Sequence, residues 1–487
     1  MNILYTDICI VAAGPSGLAA AVTAAENGMR AIVLEKNAMV GGTANMGMGP
    51  FGVESRIQKA GMITLRKEEV FHQMMEYTHW RVDPRKLREY IWKSGSTIDW
   101  LEDMGVRFAG VAKYFPSAAP TWHVVAPEDG GKPGPRAASA MNKVLYENAL
   151  ELGVQILLNT PATSLIMENG RVVGVKAKST ETGEELEIRS KAVIVATGGF
   201  GDNPDMIREE CGYEWGKDIF NVRSPGVTGD GIRMVWEVGG AHGETHMEKI
   251  IWSEIPNCLL LDAFRQPASL VVNINGERVM DETMIENASV TANIIDRQPN
   301  RRVYPIVDNR LMRYYRKHGV DYPGGVHSGN PADDFEEGMA DLIEQYPDFA
   351  FCADTVEELA EKIGIDPATL ADTLEVYNSA CETKVDDQFC KSHHYLRPLK
   401  GRLYAVALCL GAYGSLGGIQ VNYKFQVLST ENKPIPGLYA SGSDTCDIYG
   451  DTYLFPLPGN TMGYAVNSGR LAAERATDYI AALKASK

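Results

Sequence analysis

Ala12, Gly14 and Gly17 stand at the spacing A-x-G-x-x-G, with an acidic residue, Glu35, farther along. Gly14 lets backbone approach a diphosphate, Gly17 lets a helix lie close to a strand, and the helix N-terminus offers free N–H groups and a positive dipole end. The Glu35 carboxylate is placed to accept from ribose hydroxyls. Such chemistry needs rigid flanking elements, and the neighbouring residues provide them. Asp7 to Ala12 (DICIVA) predicts a short strand, Ser16 to Asn27 an alanine-rich helix stopped by Gly28, and Arg30 to Leu34 a second buried strand that delivers Glu35. Strand, glycine turn, helix, strand and acid in that order is a dinucleotide-binding fingerprint in its required context. The first glycine of the usual motif is Ala12 here, which fits if its φ stays negative.

Beyond Glu35 and Lys36, Gly41-Gly42-Thr43-Ala44-Asn45 and then Gly47 and Gly49 form a second small-residue stretch, where an NAD enzyme would usually continue into a helix. Such a stretch suits backbone that runs beside the ribityl chain and isoalloxazine of FAD. Lys191 to Ala196 (KAVIVA) predicts an apolar strand ending in Thr197-Gly198-Gly199-Phe200, and Thr228-Gly229-Asp230-Gly231 opens a further helix. Gly437 to Gly442 leads through Ser443 and Asp444 to Pro458-Gly459-Asn460-Thr461-Met462-Gly463. Asn460 to Ala472 predicts a helix whose first N–H groups face the electron-rich edge of a reduced flavin.

The 487 residues, 45% hydrophobic and 23% charged, suffice for two or three domains with substantial cores. A formal charge of -16 argues against nucleic-acid and anionic-membrane partners. No run approaches the roughly 18 apolar residues of a membrane span, and Met1 to Asp7 lacks signal-peptide character, so a cytoplasmic location is expected. Eight scattered cysteines show no metal, haem or cluster spacing; free thiols and no bound metal are expected.

Taken in order, these motifs resemble the flavoprotein superfamily of fumarate reductases, succinate dehydrogenases and ketosteroid dehydrogenases, over nearly the whole chain. The resemblance implies an α/β fold with a Rossmann-like FAD-binding domain, residues 1–243 and 416–487, interrupted by an α+β cap domain, residues 244–415. It implies cofactor contacts at Ala13, Gly14, Ser16, Gly17, Glu35, Lys36, Gly42, Thr43, Ala44, Gly47, Gly49, Ala162, Thr197, Gly198, Asp230, Gly442, Ser443, Asp444, Asn460, Thr461 and Met462. Thr43 occupies the position where succinate dehydrogenases carry a flavin-linked histidine, so noncovalent FAD is implied.

For the cap, Ser269 to Asn273 followed by Gly276-Glu277-Arg278 and Asp281-Glu282 matches a family hairpin, and the match places the neighbouring positions. Glu286 falls where fumarate reductases have their proton-donating arginine, while Asp262 and Arg265 fall on the outer part of the proton relay. Two dicarboxylate anchors are also missing, at Tyr413 to Gly418 and at Pro456, which argues against fumarate because a desolvated carboxylate needs cationic partners. Tyr449, Tyr453, Phe455 and Trp252 suit instead a flat, mostly neutral, apolar or aromatic small molecule. The opening YTDICIVAAGPSGLAAA resembles reductases of intestinal anaerobes that act on isoflavanols, implying tetrahydrodaidzein as substrate and equol as product. Asp262, Arg265, Tyr413 and Tyr453 are the catalytic candidates, with Arg265 electrostatic and a tyrosine or carboxylic acid as proton donor. A ketosteroid dehydrogenase or reductase, with the Gly459 amide polarising a carbonyl, and a flavin-bearing electron-transfer subunit stay open as alternatives. The electron donor and oligomeric state are not legible.

Remaining features read as structural. His393 and His394 are expected to point apart, Glu254 to stand isolated, and Arg301-Arg302 to be solvated. Asp354 to Ser379 predicts a surface pair of helices. His123 is placed where it could approach a flavin.

Overall fold

The computed structural model describes residues 2–221, 225–323, 327 and 329–485. Its central sheet has the strand order Gln426–Leu428, Pro434–Ala440, Ala192–Val195, Ile8–Val11, Ala31–Leu34, Gln155–Leu157. Neighbours from Pro434–Ala440 to Gln155–Leu157 run parallel, and only the outermost strand pairs antiparallel. Parallel strands covered on both faces must be apolar throughout. Ile8–Val11, Ala31–Leu34 and Ala192–Val195 accordingly bury every residue, with Ile10 between Ile194 and Val33.

The helix Pro15–Glu26 packs against the sheet and is crossed by the long C-terminal helix Asn460–Ala485, which runs well past the expected end at Ala472. The crossing is close enough that a Cβ at Gly469 would fall 2.1 Å from the Ser16 carbonyl oxygen. Residues Asn2–Tyr5, Glu185–Arg189, Arg171–Lys178 and Ala162–Glu168 form a second, four-stranded sheet.

A third sheet, Leu270–Val272, Tyr304–Asp308, Leu403–Val406 and Ala350–Ala353, is wholly antiparallel and lies within the segment expected to form the cap. The predicted helical pair is present as Val356–Ile363 and Pro367–Thr383, opened by Thr355 and Asp366 side-chain caps. The second of these helices lies against the matched hairpin, where the Thr373 hydroxyl donates to the Gly276 carbonyl. Beneath the hairpin, Arg278 spans Glu282 and Asp386 at 2.8 Å each, and Lys391 reaches Glu282 at 3.0 Å, all four side chains being 0–1% exposed.

Two long strands, His242–Trp252 and Cys409–Ile419, pair antiparallel between the central sheet and this third sheet. The expected segment limits at 243/244 and 415/416 fall inside these two strands. Their ladder slips between the pairs Met247↔Ser415 and Lys249↔Ala412, so that one residue, Glu248, stands opposite two, Tyr413 and Gly414. Such a bulge re-aims side chains that strict alternation would send elsewhere.

Three readings of single residues are corrected. His393 and His394 lie in one tight turn that brings their ring centroids to 4.0 Å rather than sending them apart. Glu254 is paired with Arg302 and accepts from the Cys409 thiol at 3.4 Å. Arg301 is likewise held, by Asp218 at 2.7 Å and Asp296 at 3.0 Å, so neither arginine is simply solvated. Among the described residues no helix is long and apolar enough to cross a membrane, and no three metal-ligating side chains gather. The eight cysteines are free thiols.

Candidate active site

At the end of strand Ile8–Val11 the chain turns sharply into the first helix, and Ala12 takes φ +82°. The negative φ expected for it is wrong. The turn is fixed on all sides: Ala12 N–H donates to the Leu34 carbonyl at 2.7 Å and Ala13 N–H to Glu35 Oε2 at 2.8 Å. A methyl group can be forced into the left-handed region there, at a cost of about 1–2 kcal/mol. Gly17 is required for a different reason, since a Cβ would sit 1.9 Å from the Ala12 carbonyl oxygen.

The helix begins with Gly14 as N-cap, Pro15 as its first residue and no side-chain cap, so its first-turn N–H groups are left for a ligand. A Cβ built on Gly14 meets no described atom within 4 Å, and one on Gly42 meets only Gly14 Cα at 3.6 Å. The two glycines therefore face each other across an open trough. Glu35 is buried at its edge and accepts from Ala13 and Asn37 N–H, each at 2.8 Å, which leaves further lone pairs for hydroxyl donors. Thr43 and Ala44 lie in the short turn Gly42–Met46, followed by Gly47 and the buried Gly49. Ala162 stands just beyond Thr160, whose N–H donates to the Glu35 carbonyl. An uncapped helix N-terminus, a glycine-lined trough and a buried carboxylate at its rim fit the pyrophosphate and ribose of FAD.

Several expected contacts are engaged with one another. Lys36 binds Asp230 at 2.8 Å and the Thr228 hydroxyl at 3.0 Å. Asp444 accepts from the N–H groups of Thr197 and Gly199 at 2.5 and 2.7 Å, which ties the turn Thr197-Gly198 to the segment Gly442–Thr445. Burial pushes the Asp444 carboxyl up, against the pull of those donors. Ser16 and Ser441 share a hydrogen bond at 2.7 Å, and Ser443 is buried alongside. Asn460 is enclosed by protein, donating to the Leu457 carbonyl and accepting from Tyr90, while Met462 packs toward Gly47.

His123 does not face this trough. It is fully buried, accepts from the Ser55 hydroxyl at 2.7 Å and donates from Nδ1 to the Thr121 carbonyl at 3.1 Å. Burial lowers its pKa from 6.5 to about 4. The unfolded chain therefore takes up the proton first, and the neutral histidine contributes stability that is complete above pH 6.5 and declines toward pH 4, by about 3 kcal/mol. Denaturant unfolding across that range should show His123→Gln losing most of this slope; an unchanged slope would remove His123 as its source.

Next to the trough is an aromatic cleft. Tyr114 packs on Phe455 at 4.8 Å, Phe455 on Tyr453 at 4.9 Å, and Tyr453 on Tyr449 at 5.2 Å between ring centroids. Trp122 extends the cluster, whereas Trp252 makes no ring contact with it among the described residues. The loop carrying Tyr449 and Tyr453 is anchored by the Lys86–Asp447 pair, by Tyr77 donating to the Tyr453 carbonyl and by Asn293 donating to Thr452. Tyr413 is 37% exposed inside a strand whose other residues are all buried, so its side chain looks into the cleft.

Glu248, re-aimed by the bulge, accepts from the Thr461 hydroxyl at 2.5 Å. The Tyr453 hydroxyl lies within hydrogen-bonding reach of the same hydroxyl and of the Thr461 N–H, at the head of the C-terminal helix. Burial, reinforced by the Glu248 charge, raises the Tyr453 phenol. Asp262 is paired with His327 Nδ1 at 2.9 Å, and the Arg265 charge acts on the Tyr114 and Tyr413 phenols and the Cys409 thiol. Glu286, at the position of the missing donor, is turned outward and accepts from Ser117 at 2.7 Å. Glu248, Tyr114 and His327 escaped sequence reasoning. None belongs to a periodic pattern, and only the bulge and loop packing bring them to the cleft.

Residues 7–462 match the family described as FAD binding domain. A vinyl phenol reductase from Lactiplantibacillus plantarum is 32% identical over 97% of this chain and 96% of its own length. The open conformation of a flavocytochrome c3 fumarate reductase shares 25% identity, with a TM-score of 0.71 over 98% of this chain and 79% of that one. A 3-ketosteroid-Δ4-(5α)-dehydrogenase from Rhodococcus jostii RHA1 shares the fold, with a TM-score of 0.75 at 23% identity over 97% of each chain. With a trough that fits FAD and a family match along nearly its entire length, the chain belongs to the FAD-binding flavoproteins of the fumarate reductase and ketosteroid dehydrogenase type and is an FAD-dependent oxidoreductase.

Proposed function

We propose that this protein is an FAD-dependent reductase that saturates a C=C bond of a flat, neutral aromatic substrate, with residues 1–243 and 416–487 holding the cofactor and 244–415 covering the substrate. The observation that carries this reading is the aromatic cleft beside the FAD trough: four rings in tilted and edge-to-face contact, Tyr114, Phe455, Tyr453 and Tyr449, where a dicarboxylate would need a cation for each carboxylate. The vinyl phenol reductase similarity supports it. Tetrahydrodaidzein, converted to equol by loss of a hydroxyl and gain of hydrogen, is a second substrate for the same aromatic wall.

FAD, held noncovalently, supplies hydride from its reduced N5. The protein's task is to orient the acceptor carbon, exclude water and deliver a proton. Tyr453 is the donor best supported by geometry. The N–H of Thr461 can stabilise the phenolate left behind, while the Thr461 hydroxyl gives its proton to Glu248. Tyr413 lies across the cleft as the other candidate, and the Asp262–His327 pair offers a carboxylate–imidazole couple.

The test is anaerobic. Flavin in the purified protein is reduced with dithionite, and its reoxidation is followed on adding a para-vinylphenol, tetrahydrodaidzein, a ketosteroid enone and fumarate separately. Fast reoxidation by the vinylphenol is expected, and Tyr453→Phe should slow it by roughly 10²- to 10⁴-fold with flavin content unchanged. Reoxidation by the isoflavanol alone selects the second substrate. Reoxidation by the steroid or fumarate alone overturns the reading, and none at all, with tight binding to another protein, favours an electron-transfer subunit.

A further inference from the structure

Arg265 carries a buried donor for which the described residues provide no acceptor. Arg265 follows the short turn Leu259–Ala263, its Nε is buried, and that atom has no hydrogen-bond acceptor among the described residues. The acids of this region are hydrogen-bonded to other groups: Asp262 to His327 at 2.9 Å, Glu254 to Arg302 and Glu248 to the Thr461 hydroxyl. The Arg265 charge acts on the Tyr114 and Tyr413 phenols and on the Cys409 thiol. A buried guanidinium donor without an acceptor is costly unless a ligand brings one, and an anionic oxygen is the acceptor that binds it best. Arg265 is also the cation suited to hold one oxygen in a fixed direction.

We propose that Arg265 binds the substrate's phenolic oxygen as a phenolate, and that the true substrates are para-hydroxyaryl compounds whose reducible carbon is conjugated with that oxygen. This rests on the reductase reading above. The chemistry balances for both substrates considered there. A vinylphenol gives its phenolic proton to solvent and becomes a phenolate held by Arg265. Tyr453 protonates the terminal vinyl carbon, the ring electrons shift to a neutral quinone methide, and the benzylic carbon then accepts hydride, which regenerates the phenolate. The carbinol carbon of tetrahydrodaidzein also lies para to a ring hydroxyl. Its phenolate expels the carbinol oxygen, which leaves as water with one proton from the donor, and the same carbon accepts hydride. Each turnover consumes one hydride from the reduced flavin and one proton.

The experiment uses the oxidised holoenzyme and a ring-fluorinated para-ethylphenol, whose fluorine resonance separates phenol from phenolate without turnover. At neutral pH the wild-type protein should bind it as phenolate, although free phenols of this kind ionise near pH 10, as tyrosine does. Arg265→Gln should bind it as the neutral phenol and at least tenfold more weakly, whereas Arg265→Lys, retaining the charge, should keep part of the ionisation. Both variants are checked for flavin content, so that a folding defect is visible. A neutral phenol in the wild-type site, or a phenolate that survives Arg265→Gln, overturns the assignment. Turnover separates this from the parent reading: if the methyl ether of the vinylphenol reoxidises the flavin as fast as the phenol, the reductase stands and the phenolate falls. If neither reoxidises it, the reductase reading itself fails.

Discussion

Replacing Gly17 by valine should yield a protein that purifies without flavin. The new Cβ would lie 1.9 Å from the Ala12 carbonyl oxygen and 3.0 Å from its carbon, backbone atoms that cannot step aside as a side chain could. Ala12 is already in the left-handed region, so its turn has no spare freedom. The helix Pro15–Glu26 must move instead, against the C-terminal helix at Gly469, and that movement dismantles the trough between Gly14 and Gly42. Overpacking of this kind costs about 1–3 kcal/mol or more. With FAD held noncovalently, as proposed above, flavin absorbance should be absent and the unfolding midpoint lowered. Gly14→Ala is the informative comparison. Its methyl group meets no described protein atom within 4 Å, and its backbone, at φ -72°, suits any residue. Stability of the apoprotein should stay near wild type while flavin affinity falls. A yellow Gly17→Val protein of ordinary stability would refute the packing argument.

The second large effect concerns the buried charges under the cap hairpin. Arg278→Met should cost about 3–5 kcal/mol, because Glu282 and Asp386 would be left buried with only Lys391 between them. Guanidinium unfolding followed by tryptophan fluorescence measures this directly. The pH dependence has a definite sign. Burial alone would raise the Asp386 carboxyl, but hydrogen bonds from Arg278 and the Lys391 N–H outweigh it and hold the group below its ordinary 3.8. Its contribution is therefore complete above that pH and is lost as the pH falls through the lower folded value. In Arg278→Met the buried carboxyls lose their main partner, so acid unfolding should begin at higher pH than in the wild type. An unchanged midpoint and an unchanged acid limb would mean that the network is dispensable.

Much of the cofactor half was legible because its requirements are local. A glycine that must clear a carbonyl a few residues away, and a carboxylate delivered by the next strand, leave marks at fixed spacing, and Gly17 and Glu35 stand in those places. The strand Ala192–Val195 and the helix beginning at Asn460 were equally plain from apolar runs and their flanking turns. What spacing could not show was conformation and aim. Ala12 looked compatible with an ordinary turn, yet long-range hydrogen bonds to Leu34 and Glu35 hold it in the left-handed region. His123 could have faced either way, and Ser55 and Thr121 turn it into the core. Glu248 lies in a strand where alternation would send it elsewhere, and only the slipped register beside Tyr413 and Gly414 brings it to Thr461.

The central sheet also constrains how the protein is made. Ile8–Val11 and Ala192–Val195 are neighbours, but the next strand, Pro434–Ala440, and the helix from Asn460 that covers the first helix are synthesised much later. At about 5–20 residues per second, roughly 12 to 50 seconds pass between the synthesis of Ala192–Val195 and that of Pro434–Ala440. Throughout that time the nascent chain displays the unpaired, wholly apolar edge of Ala192–Val195, a surface that chaperones recognise and that aggregation exploits. Cofactor capture is thus a post-translational event, and heterologous yield should depend more on chaperone capacity and on flavin supply after chain release than on translation rate.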